Sequence, residues 1–231
     1  KDIKTWDLAR ILQEIDTILT VTEFDPETAD AVFTIAATDY ALMTFLAPLM
    51  QVVHRLAPRI KFAIVPTDMR RMPEQFDRQE IDFAITVPEM APENIHSIQL
   101  FEDRYICAVD HAHRSVRSPL TLDEFCNLDH ILVTPSSDGF EGPTDEVLSR
   151  LGRERRVTVS VPTFLSLPSI LKNSEFITVA PERVLDPFRG ILQVFSPPFE
   201  IPGFPVIALW HELSERSPPH VWLREKMSEI F

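Results

Sequence analysis

The sequence of 231 residues predicts an α/β protein of two lobes with a cleft between them. Strands and helices alternate between residues 32 and 86, and they alternate again between residues 130 and 195. Such alternation is typical of a parallel sheet with right-handed crossovers. A long strand-like stretch at Ile98–Val109 leads out of the first unit, and Val206–Trp210 leads back. Two similar units joined by two crossing strands leave a cleft between lobes.

The first residues precede this repeat. Residues 3–22 predict a helix, because apolar residues follow one another at alternating steps of three and four. These residues are Leu8, Ile11, Ile15 and Ile18. Two interpretations stay open: the helix packs on its own domain, or it is part of a dimerising coiled coil. Asp25-Pro26-Glu27 then ends the pattern and indicates a linker.

The first unit begins with a nearly continuous apolar run at Val32–Ala37, which predicts a strand covered on both faces. Thr38 and Asp39 follow as good helix N-cap residues. One apolar stripe marks the helix, and it consists of Leu42, Phe45, Leu46, Leu49, Val53 and Leu56. Because Pro48 lies within this stripe, we expect it to kink the helix or to loosen one turn.

The same patterns predict the remaining elements. Further strands are expected at Lys61–Val65, Asp82–Thr86, His130–Val133, Val157–Val161, Phe176–Val179 and Ile191–Phe195. Further helices are expected at Met69–Arg78, Thr144–Leu151, Thr163–Lys172, Glu182–Leu185 and His220–Ile230.

Composition argues against several functional classes. A net charge of −13 is unsuited to a chain that grips phosphates by itself. With five glycines, the chain has no dinucleotide-binding, P-loop or hydrolase-elbow motif. Two cysteines fit neither a disulfide framework nor a zinc cluster, which favours a reducing compartment. No apolar run approaches the roughly 20 residues of a membrane span, and no signal peptide is evident. Because the chain starts at Lys1, we expect a leading segment to be missing.

The carboxyl ends of the predicted strands supply the candidate ligand-binding residues, because ligands of open α/β sheets bind there, beside helix N-termini. The candidates are Thr38, Asp39, Tyr40, Thr67, Thr86, Thr134, Pro135, Ser136, Thr163 and Phe164. Helix capping is the alternative role of Thr38 and Asp39, and the two roles are compatible. Phe164 either lines the cleft or packs in the core.

Other chemistry-bearing residues have simpler explanations. His111 and His113 could form a metal pair on one face of a strand, but a solvated turn is favoured because no third ligand is evident. Cys107 and Cys126 lack a flanking base and are expected to be buried apolar groups. Ser136-Ser137-Asp138 is part of a nucleophile cluster without a suitably placed histidine. We therefore expect no catalytic residue, no metal and no cofactor.

A series of short segments, taken in their order along the sequence, resembles one known family. They are Phe33–Tyr40, Leu46–Met50, Asp82–Ile85, Thr121–Phe125, His130–Pro135, Leu167–Leu171, Ile177–Arg183, Ala208–His211 and Trp222–Arg224. In this order they resemble the effector-binding (regulatory) domain of LysR-type transcriptional regulators, in the branch of nodulation and aromatic-degradation regulators. The resemblance covers residues 30–231, and residues 3–22 resemble the end of that family's linker helix.

The resemblance implies a type 2 periplasmic-binding-protein-like fold. It implies lobe I at residues 30–107 and 205–231, lobe II at residues 108–204, and the end of a linker and dimerisation helix at residues 1–29. It implies a cytoplasmic, non-enzymatic homodimer or homotetramer without membrane contact. A small aromatic effector would bind between the lobes, with contacts at the Thr38 corner. Promoter DNA would be reached only through an N-terminal winged helix-turn-helix that this chain lacks.

Two rival functions stay open. The first is a solute-binding protein of a transporter with the same two-lobed fold, against which the linker-like helix at residues 3–22 argues. The second is an enzyme that uses the Asp, His and Ser groups described above, but no activated nucleophile or metal set supports it.

Overall fold

The computed structural model of the chain describes residues 24–116, 119–135 and 139–231. The predicted helix at residues 3–22 and the candidate Ser136 therefore lie outside the described residues. Within them, two separate mixed sheets with flanking helices confirm the two-unit α/β prediction. In the described part of the chain, no helix is long and apolar enough to cross a membrane.

Ten strands lie within the described residues. They are β1 (Val32–Ala37), β2 (Lys61–Val65), β3 (Phe83–Thr86), β4 (His96–Asp103), β5 (Tyr105–Asp110), β6 (Asp129–Val133), β7 (Arg156–Val161), β8 (Phe176–Pro181), β9 (Leu192–Phe195) and β10 (Phe204–Trp210). Sheet I has the order β2-β1-β3-β10-β4, and sheet II has the order β7-β6-β8-β5-β9. Strands β1, β2 and β3 are parallel, as are β6, β7 and β8, whereas β10 and β5 run antiparallel to their neighbours. We call the parts built on these sheets lobe I and lobe II.

The helices cover the sheets and connect the strands. Helix α1 has three parts: Asp39–Ala41, a π-helical turn at Leu42–Leu46, and Ala47–Leu56. The others are α2 (Met72–Asp77), α3 (Leu122–Asn127), α4 (Pro143–Arg150), α5 (Leu167–Leu171), α6 (Glu182–Leu185) and α7 (Pro218–Ser228). Short 3-10 helices lie at Pro88–Met90, Phe164–Ser166, Asp186–Phe188 and Glu212–Ser214.

Helix α1 contains the loosened turn that Pro48 predicts. Proline has no backbone N–H to give to the carbonyl of Thr44, and its ring would clash with that carbonyl in a regular helix. The π-helical turn lies directly before Pro48, and in it the N–H of Ala47 donates to the carbonyl of Leu42, five residues back. The wider turn relieves the clash and keeps the helix continuous.

Some predicted elements differ from the structure. Leu56 is 45% exposed although it belongs to the predicted stripe, because α1 ends there and Ala57 turns into the core instead. Helix α3 is missed, although Thr121 caps it by accepting from the N–H of Glu124 at 3.2 Å. The helix predicted at Thr163–Lys172 is a 3-10 turn followed by the five residues of α5.

The long stretch predicted at Ile98–Val109 is two strands in different sheets. Only Arg104 separates β4 from β5, so the chain changes sheet there. Three charged residues, Glu102, Asp103 and Arg104, stand at this change between the apolar residues of the two strands. The segment that returns to sheet I before β10 contacts the segment between β4 and β5. A Cβ on Gly203 would lie 2.7 Å from the carbonyl oxygen of Asp103. The two crossings therefore touch at a position that only glycine fits.

The core continues from one lobe into the other. The largest cluster of buried apolar residues includes Phe45 and Phe101 of lobe I together with Ile131 and Leu185 of lobe II. The lobes are consequently packed against each other as well as joined by two segments. This packing lies beside the edges that carry the candidate residues.

Candidate functional site

Three threonines line one edge of sheet I. The parallel registers of β1 with β2 and with β3, continued past the last paired residues, align Thr67, Thr38 and Thr86 across neighbouring strands. All three are half-buried. This edge holds the carboxyl ends of the parallel strands, which is where such sheets bind ligands.

The threonine hydroxyls differ in their bonding. Thr38 has an extended backbone and caps α1, since its Oγ1 accepts from the N–H of Ala41 at 3.4 Å. The capping role of Thr38 is therefore confirmed. The Thr67 Oγ1 is buried and has no hydrogen-bond partner among the described residues. A buried hydroxyl without a partner is unfavourable, so this group favours a hydrogen-bonding ligand at the edge.

The matching edge of sheet II is more fully bonded. Thr134 follows β6, is buried, and places its Oγ1 2.9 Å from the Oγ of Ser160. Ser160 donates in turn to the carbonyl of Gly139 at 3.0 Å. Pro135 is exposed, and Thr163 is half-buried in front of the 3-10 turn that Phe164 begins. Two hydroxyls thus already form a pair on this side.

The two edges meet at the start of α1. The Asp39 Oδ2 accepts from the N–H of Leu165 across the lobe boundary at 2.9 Å. The ring centroids of Tyr40 and Phe164 lie 5.9 Å apart. The structure thus brings Asp39, Tyr40 and Phe164 together. Among the described residues, hydrogen bonds do not join Thr67 or Thr86 to lobe II.

Tyr40 points into the interior. It is buried, and its hydroxyl donates to the Oδ2 of Asp103 at 2.8 Å. Burial and the nearby negative charge of Asp103 raise the pKa of Tyr40 above its ordinary value. Burial also raises the pKa of Asp103, although the hydrogen bond from Tyr40 opposes that shift. The Tyr40 hydroxyl is consequently occupied by its hydrogen bond to Asp103, and the Tyr40 ring is the part that faces Phe164.

Sequence patterns do not show Asp103, Leu165 or Ser160 as site residues. Asp103 ends β4, and its burial depends on the change of sheet at Arg104. Leu165 acts only through its backbone N–H, which a side-chain pattern cannot show. Ser160 belongs to the alternation of β7, and the register of β7 on β6 puts it near Thr134.

The remaining candidates have structural roles. His113 is buried; its Nδ1 accepts from the N–H of Val116 at 3.1 Å, and its Nε2 lies 3.1 Å from the carbonyl of Glu175. The prediction of a solvated turn is thus wrong for His113, because the turn packs on Glu175, whereas His111 is exposed. Burial raises the pKa of the Cys107 thiol to about 12, which leaves it protonated.

Cys126 and the segment Ser136-Ser137-Asp138 are the two other groups that the sequence singles out. Cys126 is partly exposed, in contrast to the buried position that its sequence predicts. Ser136, Ser137 and Asp138 lie outside the described residues. Within the three described ranges, no group of three or more His, Cys, Asp and Glu side chains could hold a metal ion.

Comparison with known protein families gives a match over most of the chain. Residues 27–230 match the LysR substrate binding domain. The chain belongs to this family. It is the effector-binding domain of a LysR-type transcriptional regulator, and its fold is the type 2 periplasmic-binding-protein-like fold. The match favours this function over that of a transporter's solute-binding protein.

Relatives agree with the family assignment. The chain is 29% identical to the HTH-type transcriptional activator NagR of Ralstonia sp, over 95% of this chain and 74% of NagR. It is 26% identical to nodulation protein D 2 of Rhizobium leguminosarum bv. phaseoli, over 95% of this chain and 69% of that protein. The resemblance to nodulation and aromatic-degradation regulators is therefore confirmed.

Solved structures show the same fold. The regulatory domain of MexT, a transcriptional activator in Pseudomonas aeruginosa, is 26% identical with a TM-score of 0.77, over 88% of this chain and all of that one. The BenM effector binding domain with its effector benzoate is 16% identical with a TM-score of 0.68, over 88% of this chain and 93% of that one.

Proposed function

We propose that this LysR-type domain binds a small aromatic effector between its lobes. The Thr38, Thr67 and Thr86 edge forms one wall, with Asp39 and Tyr40 at its corner. The opposite wall consists of Thr134, Pro135, Thr163 and Phe164, and the predicted contact Ser136 lies outside the described residues. The observation that carries the proposal is the buried Thr67 hydroxyl, which has no hydrogen-bond partner in the described part of the chain and lies at the carboxyl ends of three parallel strands.

The chemistry of the two walls suits such a ligand. Threonine hydroxyls hold a phenolic oxygen or a carboxylate, while aromatic and aliphatic side chains cover a ring. BenM, which has the same fold, binds benzoate, and this supports an aromatic class of effector. The effector acts only if it binds one arrangement of the lobes more tightly than another.

The wider organisation follows from this role. We propose that two segments of the chain form lobe I and that the segment between them forms lobe II. The boundaries lie at Arg104 and between β9 and β10. The domain works as a homodimer or homotetramer. It performs no catalysis, and it acts in the cytoplasm on promoter DNA through an N-terminal winged helix-turn-helix.

Calorimetric titration with phenols, benzoates and flavonoids tests the effector site. Thr67→Val keeps the side-chain shape and removes a hydroxyl that bonds none of the described residues. Binding should therefore weaken roughly ten- to a hundredfold while the fold stays intact. Thr38→Val should also weaken binding, although it removes a helix cap as well. Thr158→Val is the matched control, because its hydroxyl bonds Asp129 at the far end of β7.

Two results would contradict the proposal. An aromatic ligand that binds the wild type and both edge variants equally would show that the threonine edge is not the site. Failure of every compound in the panel to bind the wild type would remove the aromatic class of effector.

A further inference from the structure

Adjacent residues at the start of α1 both bind across the lobe boundary. Asp39 accepts the N–H of Leu165 through Oδ2, and Tyr40 packs its ring on Phe164. We call these four residues the interlobe latch. Asp39 belongs to a capped helix and Leu165 to a short 3-10 turn, so the bond connects elements of two different lobes.

The latch continues to the crossover between lobes. The Tyr40 ring also lies 6.0 Å from that of Phe204, the first residue of β10. The Tyr40 hydroxyl donates to Asp103, the last residue of β4. The Asp103 Oδ1 also accepts the N–H of Arg104 at 2.8 Å, and the backbone and the positive charge of Arg183 in lobe II lower the pKa of Asp103. One buried carboxylate thus binds donors from lobe I and from the crossover and lies within the influence of Arg183 in lobe II.

The start of α6 holds the crossover from the other side. The N–H of Glu182 donates to the carbonyl of Arg104 at 2.8 Å. The Arg104 Nη2 donates to the Glu182 Oε1 at 3.0 Å. The Arg183 guanidinium lies over the rings of Phe101 and Phe231, 4.6 Å and 4.4 Å from their centroids. Movement of lobe II about the crossover would disturb these contacts together.

We propose that the interlobe latch holds the lobes together at the cleft corner in the absence of effector, and that Tyr40 and Asp103 are positioning residues that transmit its state to the crossover at Arg104. An effector that reaches Thr38 and Phe164 must part or replace the contact between Asp39 and Leu165. Opening of that contact frees the Tyr40 ring and loosens the donors held by Asp103.

Amide hydrogen exchange of the chain without ligand tests the latch. Leu165 is 52% exposed, so its N–H owes its protection to the carboxylate of Asp39. Asp39→Ala should speed exchange of the Leu165 amide roughly tenfold. Asp68→Ala is the matched control: Asp68 follows Thr67 as Asp39 follows Thr38, but its carboxylate accepts only within lobe I, for example from the N–H of Arg70 at 3.1 Å.

Tyr40→Phe tests transmission, since it keeps the ring and removes only the hydroxyl. The amides of Arg104 and Leu165 should both exchange several-fold faster, whereas a purely local role of the hydroxyl would change the Arg104 amide alone. The latch would be overturned if the Leu165 amide exchanged no faster in Asp39→Ala than in the wild type. It would also be overturned if Asp68→Ala raised the exchange rate of the Leu165 amide by the same factor as Asp39→Ala. Unchanged Leu165 exchange in Tyr40→Phe would overturn the transmission.

These measurements need no effector. Failure of the latch would leave the proposed aromatic site standing, and failure of every aromatic compound to bind would leave the exchange results intact. If Asp39→Ala does not fold, the Tyr40→Phe result at the Leu165 amide decides the proposal, because that variant retains the Asp39 carboxylate.

Discussion

Acidification should destabilise the domain through His130, which is fully buried in lobe II. Its Nε2 donates to the carbonyl of Phe125 at 2.9 Å, and its Nδ1 lies 3.4 Å from the Nη1 of Arg155. Burial lowers the pKa of His130 from 6.5 to about 4, and the positive charge of Arg155 acts in the same direction. Protonation of the folded ring would place a second positive charge beside a buried guanidinium.

The magnitude follows from the two pKa values. Because the pKa of His130 is lower in the folded state, the unfolded chain binds the proton first as the pH falls. The contribution of His130 to stability is complete above pH 6.5 and is lost progressively down to about pH 4. The difference in pKa corresponds to about 3 kcal/mol over that range, most of which is lost by about pH 4.5.

Urea unfolding at pH 7 and at pH 4.5, followed by tryptophan fluorescence, measures this loss. His130→Gln keeps a donor for Phe125 and removes the titration, so its free energy of unfolding should fall less between the two pH values than that of the wild type. His111→Gln removes an exposed histidine and should behave like the wild type. If His130→Gln and the wild type lose the same free energy of unfolding on acidification, the reasoning is refuted.

Three further outcomes are expected. Gly203→Ala should lower the free energy of unfolding by about 2 kcal/mol, because the new Cβ would meet the backbone of Asp103. Gly190→Ala is the control and should be neutral or slightly stabilising, because the space around its Cβ is open. Thermal unfolding compares the two variants. Asp145→Ala should destabilise by about 3–5 kcal/mol in the same assay, because it leaves the buried Arg155 charge unpaired. Light scattering of the chain without DNA or effector should give roughly twice 26.5 kDa, and a clean monomer would contradict the dimer.

The fold was largely predictable because its signals are local. A strand covered on both faces reads as an unbroken apolar run, and Val32–Ala37 is such a run. Pro48 alone predicts a disturbed turn, since the missing N–H has the same consequence in any helix. Helix α3 shows the limit of hydrophobic patterns: its six residues are too few for a clear stripe, and only the Thr121 and Glu124 cap marks it.

The site was predictable at the level of strand ends and not of contacts. The threonines could be named because each follows an apolar strand. Their bonding could not be predicted, because the partner of Thr134 comes from the register of β7 on β6, and the partner of Asp39 is a backbone N–H in the other lobe. The buried role of Tyr40 depends on the crossover at Arg104, which the prediction of one continuous strand at Ile98–Val109 does not include.

The π-helical turn of α1 lets the helix hold one extra residue without turning the cleft corner. A π-helical turn holds about one residue more than an α-helical turn, so the extra residue is taken up within one rotation of the helix. Deletion of one residue within Leu42–Leu46 would therefore restore an α-helical turn and leave Thr38, Asp39 and Tyr40 in nearly the same direction relative to the part of α1 that begins at Ala47. The ring of Pro48 would then meet the carbonyl four residues back, as in a regular helix. The extra residue thus lets this architecture accept a proline within the helix while the same side chains face the cleft.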